Sequence, residues 1–99
     1  MDIQKNEIYT FKLNSGEELV ANVEEVHDDH YIIYKPVSIA PGQNGVQMIP
    51  SAFTMNLDKN ARLNINAITM VFETNPDVVK SYKQATSNIV TPDKQILKG

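Results

Sequence analysis

The sequence predicts a mainly β domain that ends in a single helix. Residues 9–36 carry three strand patterns joined by two turns, a β meander. Two segments, around Ile32 and around Met70, are apolar on both faces and read as strands that need cover on each side. Asn75-Pro76-Asp77 has the order of a helix start: an N-cap Asn, a proline where its missing N–H is harmless, and an acid at the positive end of the dipole.

Residues 1–6 are polar and read as a lead-in or one short turn. In the first strand, residues 7–13, Tyr9, Phe11 and Leu13 alternate with Thr10 and Lys12, the period of a sheet that is wet on one side. Asn14-Ser15-Gly16 bends the chain, because Asn and Ser bond locally to backbone and Gly accepts positive φ. In the second strand, residues 17–26, Leu19, Ala21 and Val23 share a face opposite Glu18, Val20, Asn22 and Glu24. Val26 then falls out of phase, so a β-bulge near Glu24-Glu25 is expected to return it to the core.

Asp28-Asp29 makes the second turn, and the third strand, residues 30–39, holds Pro36, which implies an edge or a kink there. Residues 40–45, Ala-Pro-Gly-Gln-Asn-Gly, form a hairpin loop. A fourth strand follows in two pieces, one with Val46 and Met48 and one with Phe53 and Met55, broken by Pro50-Ser51 and expected to be a free edge. Residues 57–60 read as a turn, residues 62–66 alternate, and the last strand covers residues 67–73. The helix is expected over residues 76–88, with Val78, Tyr82, Ala85 and Ile89 on one stripe; Pro92 should stop it and leave residues 91–99 as a flexible tail beyond a domain of residues 1–90.

With 99 residues the chain is one domain, small enough for oligomerisation to add useful burial. It has no cysteine, so disulfides and thiolate metal sites are excluded. No apolar run approaches the ~20 residues that span a bilayer, and residues 1–7 lack a signal-peptide core, so a cytoplasmic protein with no membrane partner is expected. The net charge is −3, and residues 17–29 hold six acids with no Lys or Arg between them. Such a face repels a phosphate backbone.

The stretch from Leu13 to Ile33, LNSGEELVANVEEVHDDHYII, resembles the first signature of the Sm-like family (LSm and Hfq-related proteins), and the whole chain is similar to short phage-encoded members in which a helix follows the strands. The resemblance implies a small, strongly bent, five-stranded antiparallel barrel of SH3-like type with one C-terminal helix, whose copies pair strand edges into a closed homo-oligomeric ring. It further implies single-stranded RNA as a ligand, with Asp29, His30, Tyr31 and Arg62 at the corresponding positions, and for a phage-encoded protein the host cytoplasm. Members that bind uridine carry Asn where this chain has Tyr31, archaeal ones place His where it has Asp29, and the family's Arg-Gly is here Arg62-Leu63.

Chemistry has few candidates. His27 and His30 flank the Asp28-Asp29 turn, and two imidazoles across a hairpin with carboxylates nearby form a candidate Zn²⁺ or Ni²⁺ site; exposed strand ends around an ordinary acidic turn are the competing reading. Tyr31 and Tyr34 either stack on bases or pack in a core or interface. Arg62 with Lys59 makes the one locally basic loop. No serine has a nucleophile-elbow setting and no Gly-rich phosphate loop exists, so neither catalysis nor a cofactor is expected. The apolar strand residues Tyr34, Met48, Phe53, Met70 and Phe72 are the expected oligomer interface. The functional expectation is a non-enzymatic ring-forming module that binds single-stranded RNA; the alternatives are a protein-interaction or structural scaffold, and a monomeric SH3-like peptide binder.

Overall fold

The computed structural model describes residues 1–43 and 45–96, residues 88–96 as backbone alone. Six strands, β1 (Glu7–Leu13), β2 (Glu18–Val26), β3 (His30–Gly42), β4 (Gly45–Pro50), β5 (Ala61–Asn64) and β6 (Ile68–Glu73), precede one helix, α1 (Pro76–Ile96), and a 3₁₀ turn at Ile65–Ala67 joins β5 to β6. The sheet is antiparallel in the order β4-β3-β2-β1-β6, and β5 shares the outer side of β3 with β4. β4 pairs with residues 37–42 of β3 and β5 with residues 30–33.

This connectivity rolls the sheet. From β5 through β3, β2 and β1 to β6 there are four inter-strand steps, about 19 Å if the sheet were flat. The 3₁₀ turn that joins the two ends has three residues, each rising about 2 Å. The sheet must therefore curl until β5 and β6 are near one another, and no ladder closes the seam between them.

The predicted alternation sets the core. Tyr9, Phe11, Leu19, Ala21, Val23, Ile33 and Leu63 are buried together on the concave face, with Tyr31, Leu13, Ile68 and Val71 against them. On the other face Val20, the one apolar residue among the outward positions of β2, is fully buried with Val37 under Tyr82 of α1, with Ile8, Ile39, Met48 and Val78 beside them. Fully burying a side chain such as Phe11 or Val20 stabilises by about 1.5–3 kcal/mol. The helix begins as its sequence implies, since the Asp77 N–H donates to Asn75 Oδ1 at 2.8 Å.

Two bulges bend the meander. Val23 pairs with Ile33 and Glu25 with Ile32, so Glu24 is the extra residue. The bulge lies where the phase slip put it, yet Val26 remains 46 % exposed, because β2 has run past the concave core by that point. The second bulge opposes Lys35-Pro36 to Ala21, and Lys35 takes φ 52°. Pro36 thus sits in a kink inside β3, between the stretches paired to β5 and β4, where no ladder bond is asked of its nitrogen.

Several expectations are corrected. The sheet has six strands, not five, because residues 62–73 are split by the 3₁₀ turn into β5 and β6. Asn14 holds that turn: its N–H donates to the Ala67 carbonyl and its side-chain amide to the Asn66 carbonyl, at 2.8 and 2.7 Å. Phe53 and Met55 belong to no strand; residues 51–60 turn back from β4 to β5, and Pro50 ends the ladder. The hairpin between β3 and β4 is tighter than residues 40–45, since Ala40 and Pro41 remain paired to Gln47 and Val46. The helix runs past Pro92 to Ile96 instead of stopping at residue 88, in a stretch with no glycine to terminate it. The Ile89 side chain and residues 97–99 lie outside the described residues.

Candidate functional site

The turn between β2 and β3 and the start of β5 bring together most of the residues singled out for ligand binding. The His27 N–H bonds to the His30 carbonyl at 3.0 Å, closing the turn, and the Ile65 N–H bonds to the Asp29 carbonyl at 3.0 Å, tying it to the 3₁₀ turn. A groove of about 540 Å³ lies between them, lined by Asp28, Asp29, Arg62, Asn64, Ile65 and Asn66. His30 donates from Nδ1 to Asp29 Oδ1 at 2.6 Å, and Arg62 Nη2 lies 3.6 Å from Asp29 Oδ2. The hydrogen bond from His30, then the charges of His30 and Arg62, lower the Asp29 carboxyl below its ordinary range. Arg62 also donates from Nε to Asn64 Oδ1 at 2.8 Å.

Asp29, His30 and Arg62 therefore form one cluster, and Tyr31 does not join it. Its half-buried ring packs against the concave core, 5.7 Å from that of Phe11. Arg62 is committed to an acid and an amide, with Asp28 on the same groove. Asn64 and Asn66 are the residues sequence reasoning missed. Their signal was the polar phase of the alternation in residues 62–66, read there only as a wet strand face.

The two histidines meet, but as a stack. Their ring centroids are 4.4 Å apart with planes 13° from parallel, and His27 gives Nε2 to Glu25 Oε1 at 2.7 Å. A metal sits near the plane of each imidazole that ligates it, about 2.0–2.1 Å from the nitrogen. Two stacked, nearly parallel planes do not share such a point. Among the described residues no group of three His, Cys, Asp or Glu gathers to hold a metal ion.

The residues expected at an interface are divided. Tyr34 and Met48 are half-buried, Met48 against the Val20 and Val37 cluster under the helix. Phe72 is half-buried opposite Thr10, Met70 is 53 % exposed opposite Lys12, and Phe53 is 90 % exposed in the loop after β4. Of the two doubly apolar segments, residues 31–33 are flanked by β2 and β5 within one subunit, whereas β6 has a neighbour on one side only. β4 is likewise paired on one side. It carries no charged residue, and β6 carries only Glu73. Val46 and Ile49 on β4 are exposed.

No protein-family model and no curated protein matches the chain. Among the described residues no helix is long and apolar enough to cross a membrane.

Proposed function

We propose that this protein is a non-enzymatic module of Sm-like barrel type that assembles with copies of itself into a closed ring and serves in the cytoplasm as a protein scaffold. The free edges of β4 and β6 carry the proposal. A free edge presents a row of unpaired N–H and C=O groups, and monomeric proteins guard such edges with lysine, proline or a bulge. Here β4 ends in Pro50 and β6 carries a bulge at Thr69, but neither strand has a lysine, and Val46, Ile49 and Met70 lie exposed along them. The edges differ in sequence, so β4 of one copy pairs with β6 of the next; a head-to-tail contact of this kind closes into a ring when its rotation permits.

The scaffold role is favoured over RNA binding by three features: the six acids of residues 17–29, the inward Tyr31 and the engagement of Arg62 by Asp29. Arg62 on an open groove, with His30 bonded to the same Asp29, is the observation on the side of RNA. Titration of oligo-U and oligo-A at low salt separates the two. A scaffold gives no binding, whereas a nucleic-acid site gives an affinity that falls steeply as salt is added. Assembly itself is tested by Met70→Lys combined with Val46→Lys, which should lower the mass in solution to that of one chain; an unchanged assembly would count against edge pairing.

A further inference from the structure

Six large apolar side chains stand exposed among the described residues. Val46 and Ile49 lie on β4, Phe53 on the loop after it and Met70 on β6; the other two are Met1 and Val26. Phe53 is the extreme case, 90 % exposed. We propose that Phe53 anchors the contact between copies of this chain, seated on Met70 of the next copy. This seat rests on the edge pairing proposed above, to which it adds the side chains that hold the two edges together.

The loop is tied down around Phe53. β4 and β5 follow one another along the outer side of β3, paired with residues 37–42 and 30–33, and residues 51–60 join them at the middle of that edge. At the start of the loop the Ser51 N–H donates to the Pro36 carbonyl at 3.4 Å, and the Ser51 hydroxyl accepts from the buried Ser38 hydroxyl at 3.2 Å. Further on, Asn56 accepts at its side-chain oxygen from the Asp58 N–H and at its carbonyl from the Lys59 N–H, at 2.9 and 3.1 Å, an Asx turn. Asn60 closes the loop by donating from Nδ2 to Glu24 Oε1 at 3.3 Å. Met55 and Leu57 are half-buried, so Phe53 is the large apolar residue that the loop holds out. A loop already fixed loses little freedom when its aromatic ring is covered.

A ladder between β4 and β6 is a narrow contact by itself. Six paired residues make a strip about 20 Å long and about 5 Å wide, whereas a stable interface covers roughly 800 Å² on each partner. Covering an aromatic side chain adds about 150–250 Å², and Phe53 has nearly all of its surface still to lose. It stands three residues past the end of β4, beside the strip.

The occupant is a second copy because the bare surface lies at both ends of one sheet. β4 and β6 are the first and last strands in the order β4-β3-β2-β1-β6. A foreign protein seated on Phe53 leaves Met70 bare, whereas head-to-tail copies each offer one residue and cover the other. Met70 pairs with Lys12 and is 53 % exposed, while its neighbour Val71 packs on the concave core. A thioether beside an aromatic ring makes a favourable contact and adapts to its shape. β4 carries no charge, nor do Ser51, Ala52 and Thr54 around Phe53, so covering this edge strips no charge of its water.

The test compares wild type with Phe53→Ser by sedimentation equilibrium over a concentration series, with circular dichroism to show both folded. Truncating an interface anchor weakens its contact by about 30-fold or more, so the variant should dissociate at concentrations where wild type is assembled. The chain has no cysteine, so Phe53→Cys and Met70→Cys, mixed and treated with a short bismaleimide, report the seat directly. Crosslinks should join position 53 of one copy to position 70 of another, and neither variant alone should crosslink. If wild type assembles and Phe53→Ser assembles with the same affinity, or if the mixed crosslink is absent, the seat is overturned while the edge pairing stands. A single-chain wild type would overturn the edge pairing and the seat with it.

Discussion

Tyr82→Phe isolates the contact that fastens the helix to the sheet. The ring of Tyr82 is 3 % exposed between Val20 and Val37, and phenylalanine keeps that packing while removing the hydroxyl that serves the Tyr34 and Lys35 carbonyls. A neutral hydrogen bond contributes about 1 kcal/mol net, and the longer of the two less, so the variant should lose about 1–2 kcal/mol. In a domain of this size that is roughly 5–10 °C in Tm. Burial also pushes the Tyr82 phenol up from 10.0 to about 12. A group whose pKa is raised on folding contributes stability that is present below its unfolded value and lost as pH climbs through the folded one. The deficit of the variant should hold at neutral pH and shrink between pH 10 and about 12, where the wild type must ionise a buried phenol or unfold. Urea unfolding followed by circular dichroism, run on both proteins at neutral pH and near pH 11, measures both effects. A neutral-pH difference within about 0.3 kcal/mol would refute the pinning role, given the magnitude expected for two such bonds.

Phe11→Ala should cost about 3–5 kcal/mol, a large share of the stability of a small domain, and its urea midpoint should fall accordingly. Because His30 and Arg62 lower the Asp29 carboxyl, its contribution is present above the ordinary carboxylate range and is lost as pH falls through the lowered value; Asp29→Asn should flatten the acid limb of a Tm-against-pH curve and leave the alkaline limb unchanged. Lys35→Val, a β-branched residue at φ 52°, should be destabilising by about 1–2 kcal/mol in thermal melts, whereas Lys35→Gly should fall within about 0.5 kcal/mol of wild type because relief of the left-handed strain offsets the entropy of glycine. Phe53→Ser should change subunit stability by less than about 0.5 kcal/mol, since its side chain touches little of its own subunit.

The meander was legible because its turns and its period are local properties. Asn14-Ser15-Gly16 and Asp28-Asp29 turn the chain where expected, and Gly16 takes φ 94°. The Asn75 cap and the Tyr82 face of the helix were legible for the same reason. What the sequence concealed depends on long-range contacts. The β5 to β6 crossover is set by Asn14 reaching residues 66, 67 and 69, which no short window reveals. Val26 and Phe53 are apolar in pattern but lie past the end of the core, so patterning alone placed them in it or in a strand. Tyr31 was weighed both as a base platform and as core, and its phase relative to Phe11 across the rolled sheet turns it inward.

The central claim, that β4 and β6 are complementary edges between copies of this chain, is tested most directly by native mass spectrometry at micromolar concentration. Edge pairing predicts one dominant species at a whole-number multiple of the chain mass, with no ladder of growing sizes, because a head-to-tail ring closes. A single-chain mass under those conditions would contradict it.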